Sequence, residues 1–206
     1  MSRTLIDTVL FDLGNVLIRW DARNYYRSVF RDDVAGMEDF LTNVCTPEWN
    51  HQMDMGRPYD EAIAELKEKW PDKAELIEAW KTHWPDMLDG AIEENVEVLT
   101  ELRKKGYALY ALTNWSAENF HIAEERFGFL SWFRDIVVSG REKMAKPDPE
   151  FFKLAIRRFG IDPDRTVFID DNAANIETAR GLGMATVHVL PSTRLAEELR
   201  ALGLKL

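Results

Sequence analysis

Cysteine is nearly absent from this sequence, in which Cys45 is the one cysteine among 206 residues. An intramolecular disulfide is therefore excluded, and a chain of this length buries enough surface to fold without one. Long apolar runs are absent as well. No uncharged run reaches the roughly 18 residues of a membrane-spanning helix, and Asp7 and Asp12 interrupt the apolar N-terminal segment. We therefore expect a cytoplasmic protein with no membrane partner.

Positive charge is scarce. The chain has 26 Lys and Arg against 36 Asp and Glu, which gives a formal net charge of −10. A surface of this sign repels a phosphate backbone, so we expect no nucleic-acid partner. A small anionic substrate remains compatible, because a binding site sets its own local field. Apolar residues make up 46% of the sequence, which is too many for a disordered chain.

Short apolar runs alternate with amphipathic helical patterns along most of the chain. The runs predict strands at residues 8–11, 108–112, 135–138, 166–169 and 185–190. The helical patterns cover residues 92–105, 116–127, 149–159, 172–182 and 195–202. This alternation predicts an α/β fold with a doubly wound, mostly parallel, Rossmann-like sheet.

One long segment, residues 19–90, interrupts the alternation. It has no strand-like run and is rich in tryptophan, with Pro71 and Pro85 as breaks. We interpret it as a helical domain inserted after the first strand, with the tryptophans as its core. The predicted domains are therefore a core of residues 1–18 and 91–206 and a helical cap of residues 19–90.

Polar side chains follow the predicted strands. The residues concerned are Asp12, Thr113, Asn114, Asp170 and Asp171. Because the carboxyl ends of parallel strands meet at one edge of the sheet, we expect them to lie close together. Crowded carboxylates repel one another unless a cation lies between them, and oxygen ligands of this kind favour Mg²⁺. The sequence therefore predicts a magnesium site at this edge.

Lys146 lies in the loop after the third predicted strand. Pro147 restricts the backbone of Lys146, and Pro149 fixes the entry to the next helix. We therefore expect a positioned ammonium group that neutralises nearby carboxylates and holds an anionic substrate.

Four segments together resemble the ordered motifs of the haloacid dehalogenase superfamily. They are Phe11 to Leu17 (FDLGNVL), Leu112 to Asn114 (LTN), Lys146 to Pro149 (KPDP) and Phe168 to Asn172 (FIDDN). The resemblance extends over the whole chain, since residues 19–90 stand where that superfamily has a helical C1 cap. The first motif is similar to a branch of glucose-1-phosphate phosphatase-like proteins and epoxide hydrolase phosphatase domains. The resemblance implies a Mg²⁺-dependent phosphatase acting on a small phosphorylated metabolite, such as a sugar phosphate, through an aspartyl-phosphate.

The resemblance also implies roles for individual residues. Asp12 would be the nucleophile and a metal ligand, and the Gly14 carbonyl would be a further ligand. Thr113 and Lys146 would contact the transferring phosphoryl group, with Asn114 beside Thr113 at the substrate.

The metal site would be completed by Asp171, together with Asp170, and Asn175 lies where some members have another carboxylate. Met55 to Pro58 is similar to the substrate loop of C1 caps, so Arg57 would clamp a substrate anion.

Gly14 departs from the superfamily pattern. Most phosphatases of this superfamily have a second aspartate there, which protonates the leaving group and then activates water. We consider Asp21 as a replacement because it is close in sequence.

Two alternative functions stay open. A metal-independent 2-haloacid dehalogenase also lacks the second aspartate, and a catalytically weak regulatory protein could have lost it. Asp170 and Asp171 favour the phosphatase, because their negative charge suits Mg²⁺ and opposes the departure of a halide. The sequence identifies neither the substrate nor the oligomeric state.

Overall fold

A five-stranded parallel sheet forms the centre of the protein, seen here in a computed structural model that describes residues 5–206. Its strands are β1 (Thr8–Phe11), β4 (Ala108–Thr113), β5 (Asp135–Val138), β6 (Thr166–Asp170) and β7 (Ala185–His188). Their order is β5-β4-β1-β6-β7. From β1 the sheet extends to β4 and β5 on one side and to β6 and β7 on the other. The strand order therefore changes direction at β1. In open α/β sheets, ligands bind beside such a point, at the carboxyl ends of the strands. The doubly wound α/β prediction is confirmed.

Two further strands, eleven α-helices and four short 3₁₀ helices make up the rest of the regular structure in residues 5–206. The additional strands are β2 (Ile18–Trp20) and β3 (Leu88–Ala91). Between them come α1 (Arg23–Phe30), α2 (Val34–Asn43), α3 (Pro47–Asp54), α4 (Tyr59–Lys69) and α5 (Ala74–Thr82). The remaining helices are α6 (Glu93–Lys104), α7 (Phe120–Arg126), α8 (Ser139–Glu142), α9 (Pro149–Phe159), α10 (Ala173–Gly181) and α11 (Leu195–Ala201).

Successive residues of β1 point to opposite faces of the sheet, and helices cover both faces. Val9 and Phe11 pack in one apolar cluster, whereas Leu10 packs in a second. Burial on both faces explains why β1 is a continuous apolar run without polar alternation. The larger cluster continues into the helical segment between β2 and β3, where it includes Tyr26 and Trp80.

The expectation that no strand lies between residues 19 and 90 is wrong. β2 and β3 pair antiparallel, with Ile18 opposite Ala91 and Trp20 opposite Leu88. Each strand has four residues or fewer, and β3 contains Gly90, so neither has a recognisable strand pattern. The pair forms a two-stranded ribbon where the helical segment leaves and rejoins the core.

Two predicted elements are shorter in the structure by more than one residue at one end. The helix expected from residue 116 begins at Phe120, because Ser116 and Asn119 belong to the preceding loop. The last strand ends at His188, two residues before Leu190. No helix in residues 5–206 is long and apolar enough to cross a membrane.

Candidate active site

Lys146 forms ion pairs with two carboxylates at the carboxyl edge of the sheet. Its Nζ lies 2.9 Å from Oδ1 of Asp12 and 2.6 Å from Oδ2 of Asp170. Asp12 directly follows β1, and Asp170 ends the neighbouring strand β6. All three residues are at least nine-tenths buried. The topology therefore brings together groups that are distant in sequence and screens them from solvent.

The backbone of Lys146 is held by Asn114, the residue that follows β4. The Asn114 side-chain amide donates to the Lys146 carbonyl oxygen and accepts from the Lys146 N–H, both at 2.9 Å. The Lys146–Pro147 peptide is cis. The amide of Asn114 is therefore used to position Lys146, although Asn114 also lines the cavity described below.

Asp170 and Asp171 have different surroundings. Both carboxylate oxygens of Asp170 accept hydrogen bonds from the Asn175 side chain, at 3.0 and 3.1 Å, and Oδ1 also accepts from the Asn172 N–H at 2.8 Å. With Lys146 as a further donor, Asp170 is saturated and fully buried. Asp171 is only partly buried and lines the cavity, so its carboxylate is the more accessible of the two.

Three carboxylates in this cluster could hold a metal ion. Ligand oxygens from Asp12, Asp170 and Asp171 lie within 4.8 Å of one another. Carboxylate oxygens are hard donors, and the single ammonium of Lys146 does not balance three negative charges. Both features fit a divalent cation such as Mg²⁺.

Burial and mutual charge shift the pKa values in this cluster. Burial raises the pKa of Asp12, with Asp170 adding to the rise and Lys146 opposing it. Burial also raises the pKa of Asp171, again with a contribution from Asp170. Burial alone would lower the pKa of Lys146, but Asp12 and Asp170 together raise it above its ordinary value. Lys146 therefore remains charged. A further cation would stabilise the ionised form of the carboxylates.

A cavity of about 210 Å³ opens beside this cluster. Its walls come both from the sheet edge and from the helical segment. The lining residues are Asp12, Gly14, Asn15, Trp20, Asn50, Asp54, Trp84, Asn114, Trp115, Lys146, Asp171, Asn172 and Asn175. The lining thus combines charged groups with tryptophan rings.

Besides Asp170, three residues named from the sequence lie outside the cavity lining. Arg57 bonds to Gln52 and Glu65 on the helices beside it. Asp21 accepts from the Arg23 N–H at the start of α1. Thr113 is buried at the end of β4, and its hydroxyl has no hydrogen-bond partner within residues 5–206.

Asp54 is a cavity residue that the sequence reasoning missed. It ends α3 and directly precedes the Met55 to Pro58 loop. Burial raises the pKa of Asp54 to about 7, although a hydrogen bond from the Ser116 backbone opposes the rise. The sequence signal for Asp54 was its position directly before the Met55 to Pro58 loop, in which Arg57 is the only cation.

The fold and the site together match one enzyme family. Residues 6–183 match the sequence profile of the haloacid dehalogenase-like hydrolases. The chain belongs to this family of hydrolases. The resemblance seen in the four motifs is thereby confirmed at the family level, and the protein is an enzyme of the hydrolase class.

Two relatives of this hydrolase match over nearly their whole length. It is 27% identical to a sesquiterpene phosphatase of Aspergillus oryzae, over 97% of each chain. It is 25% identical to a pyrophosphatase of Bacillus velezensis, over 98% of this chain and 91% of the relative. Both relatives are named as enzymes that act on phosphates.

A solved structure shares the fold. It is a haloacid dehalogenase family enzyme from Bacteroides thetaiotaomicron in complex with magnesium and inorganic phosphate. The two proteins are 27% identical with a TM-score of 0.70, and the match covers 95% of this chain and all of the other.

Proposed function

We propose that this hydrolase is a Mg²⁺-dependent phosphatase that transfers the phosphoryl group of a small metabolite first to Asp12 and then to water. One observation carries the proposal: Asp12, Lys146 and Asp171 line the same 210 Å³ cavity. In this proposal Asp12 is the nucleophile, Lys146 is a fixed cation and Asp171 is a carboxylate available to a metal, all three around one phosphoryl group. The relatives that act on phosphates, and the related enzyme with bound magnesium and phosphate, support this reading.

Each residue then has a chemical role. A carboxylate oxygen of Asp12 attacks phosphorus. The ammonium of Lys146 holds a phosphoryl oxygen and offsets the charge that accumulates in the transition state. The buried Thr113 hydroxyl, which lacks a partner among the described residues, is a further donor at the end of β4.

Asp12, Asp171 and the Gly14 carbonyl would hold the metal. Asp170 instead acts mainly as the counter-ion that fixes Lys146, because its oxygens are already occupied by hydrogen bonds. A bound Mg²⁺ supplies positive charge that neutralises the phosphoryl oxygens.

A phosphatase accounts for this site better than a dehalogenase does. Asp171 adds a negative charge at the cavity that no side chain in residues 5–206 neutralises by an ion pair. Such a charge opposes the departure of a halide but binds a metal that carries phosphate.

The cavity also limits the substrate. Its volume of about 210 Å³ admits a phosphoryl group with a small organic portion, and Trp20, Trp84 and Trp115 provide apolar walls for that portion. We propose a small phosphate monoester with a ring or other apolar face as the substrate class.

Hydrolysis of p-nitrophenyl phosphate with Mg²⁺ and with EDTA tests the proposal, alongside halide release from chloroacetate. We expect phosphatase activity that EDTA removes and Asp12→Asn abolishes, with no halide release. Asp60→Asn, on the exposed side of α4 where Asp60 pairs with Lys81, is the matched control and should retain full activity. Phosphatase activity that persists in Asp12→Asn would refute the covalent route, and halide release from chloroacetate would refute the phosphatase.

A further inference from the structure

Gly14 leaves the reaction without a proton donor at the usual place. An alkoxide leaves phosphorus slowly unless it is protonated, and general acid catalysis contributes about 10²- to 10⁴-fold. Asp21 does not line the cavity that contains Asp12. The donor must therefore come from another part of the cavity wall.

Asp54 is the cavity carboxylate that belongs to neither the metal cluster nor the sheet edge. Among the described residues, the acidic side chains that line the cavity are Asp12, Asp171 and Asp54. The first two are assigned to attack and to the metal. Asp54 belongs to the helical segment, at the end of α3, whereas Asp12 and Asp171 follow strands of the sheet.

The position of Asp54 is set by contacts with the core. The Ser139 hydroxyl donates to the Asp54 carbonyl oxygen at 2.5 Å. The Asn50 side chain donates to Oδ2 of Asp54 at 3.3 Å. Gly56 has a φ of +88°, and a Cβ there would lie 2.8 Å from the Gly140 carbonyl oxygen, so the loop passes very close to the start of α8. The contacts with Ser139 and Gly140 tie the end of α3 to the core, and Asn50 holds the Asp54 carboxylate from within α3.

A neighbouring anchor lies on α4. The Tyr59 N–H donates to the Glu118 carboxylate at 2.9 Å, and the Tyr59 hydroxyl accepts from the Asn119 side chain at 3.0 Å. Both partners lie in the loop between β4 and α7. The segment from Asp54 to Tyr59 is therefore fastened at both ends, to the start of α8 and to the loop that follows β4.

We propose that Asp54 is the acid–base residue of this hydrolase and replaces the carboxylate missing at Gly14. The inference rests on the proposed phosphatase function. In the first step Asp12 attacks phosphorus, the bond to the leaving oxygen breaks, and that oxygen takes its electron pair and the proton of Asp54. The alcohol leaves, Asp54 is ionised, and Asp12 carries the phosphoryl group.

In the second step Asp54 acts as a base. Water attacks phosphorus and gives one proton to the Asp54 carboxylate. The bond between phosphorus and Asp12 breaks, its electron pair returns to the Asp12 carboxylate, and inorganic phosphate leaves. Both residues then regain their starting protonation, and the net reaction is the hydrolysis of one phosphate monoester.

The surroundings suit a carboxyl group that exchanges a proton near neutral pH. The charged and titratable groups around it are Asp12, Lys146 and Asp171 across the cavity, Tyr59 and Glu118 beside the loop, and Lys143, Arg141 and Glu142 on or next to the packed helix α8. No ion pair joins Asp54 to a cation in residues 5–206. Burial therefore dominates and raises the pKa of Asp54 to about 7.

Two phosphate esters of similar size separate this role from a structural one. p-Nitrophenyl phosphate has a leaving group that needs little protonation, whereas p-nitrobenzyl phosphate releases an alkoxide. For Asp54→Asn we expect kcat/KM to fall about 100-fold with the benzyl ester and to stay within about threefold of wild type with the phenyl ester.

The second step gives an independent signal in the same variant. With p-nitrophenyl phosphate, Asp54→Asn should release a burst of p-nitrophenol and then turn over slowly, because water is no longer deprotonated. Asp60→Asn is the control and should behave as wild type with both esters.

Rescue provides a further test. A Cβ at Gly14 would meet nothing within 4 Å, and the backbone there has no positive φ, so Gly14→Asp is sterically acceptable. The double variant Gly14→Asp/Asp54→Asn should recover most of the kcat/KM for p-nitrobenzyl phosphate.

The wild type alone tests the proposal if the variants do not fold. The ratio of kcat/KM for the benzyl ester to that for the phenyl ester should fall as pH rises through about 7, because only the benzyl ester needs protonated Asp54. A ratio that does not change with pH would overturn the role of Asp54.

The remaining outcomes distinguish the two proposals. Equal losses on both esters in Asp54→Asn, or no loss on either, would refute Asp54 as the acid while the phosphatase stands. A wild-type protein that is inactive on both esters would refute the phosphatase itself, and the role of Asp54 with it.

Discussion

The ammonium of Lys146 lies 2.6 Å from Oδ2 of Asp170, and neither side chain has more than 1% of its surface exposed. The same ammonium lies 2.9 Å from Oδ1 of Asp12. One positive charge is thus shared between two buried carboxylates, and Asp171 adds a third negative charge nearby. The excess of negative charge is the physical reason to expect a divalent cation at this edge of the sheet.

Replacing Lys146 by methionine should destabilise the protein strongly. The change leaves Asp12 and Asp170 buried without their shared cation, which typically costs about 3–5 kcal/mol. Urea unfolding in EDTA measures this loss. Mg²⁺ should raise the Tm of Lys146→Met more than that of wild type, since it supplies the missing charge. Lys153→Met removes an exposed lysine that pairs with Glu150 and should change neither quantity. A Lys146→Met variant as stable as wild type would contradict this account of the cluster.

Asp170→Asn and Asp171→Asn should affect different properties, the first stability and the second Mg²⁺ binding. Asp171→Asn removes the accessible carboxylate, so we expect Mg²⁺ affinity to fall at least about tenfold while the free energy of unfolding in EDTA stays near the wild-type value. Asp170→Asn breaks the buried pair with Lys146, so it should lower the free energy of unfolding by about 3 kcal/mol. Calorimetric titration with Mg²⁺ and urea unfolding together measure both effects. Unchanged Mg²⁺ binding in Asp171→Asn would show that Asp171 is not a ligand.

Asn114→Ala should make the position of Lys146 less well defined. The side chain of Asn114 makes both hydrogen bonds that hold the Lys146 backbone. Its loss leaves partly buried backbone groups unpaired, which costs about 1–3 kcal/mol, and lets the ammonium move away from the phosphoryl position. We therefore expect lower stability together with lower kcat on p-nitrophenyl phosphate. Asn43→Ala, which removes an exposed amide bonded to Asp39, is the control. Wild-type kcat in a folded Asn114→Ala protein would exclude this positioning role.

The stability of the protein should depend on pH through Asp54. Its pKa is about 7 in the folded state against 3.8 ordinarily, so the folded state binds the proton more tightly than the unfolded state. The contribution of Asp54 to the free energy of unfolding should therefore fall as pH rises from about 4 to about 7 and then level off. Asp54→Asn removes this contribution, so the variant should match wild type near pH 4 and exceed it at pH 8.

Urea unfolding in EDTA at several pH values measures the difference between wild type and Asp54→Asn. Taking the difference cancels the contributions of Asp12 and Asp171, whose pKa values are also raised. A difference that is the same at pH 4 and pH 8 would show that Asp54 keeps an ordinary pKa in the folded protein.

The sequence by itself determined the sheet and the edge where polar groups collect. Strands buried on both faces are continuous apolar runs, so β1 and β6 can be recognised in the sequence. The polar residues at the ends of these runs mark the carboxyl ends of the strands. Parallel pairing then requires Asp12 and Asp170 to lie at one edge, whatever the details of packing. The ribbon of β2 and β3 left no such trace, since its strands are too short to show a pattern and pair across the whole helical segment.

Only the tertiary structure decided how the cavity is completed. Asp170 and Asp171 are neighbours in the sequence, yet hydrogen bonds from Asn175 occupy one while the other faces the cavity. Asp54 reaches the same cavity because Ser139 and the close approach at Gly140 hold the end of α3 against the core. Local sequence patterns follow the period of a single helix or strand, whereas these contacts join segments far apart in the chain. Their outcome depends on packing across the interface between the helical segment and the sheet, which no local pattern contains.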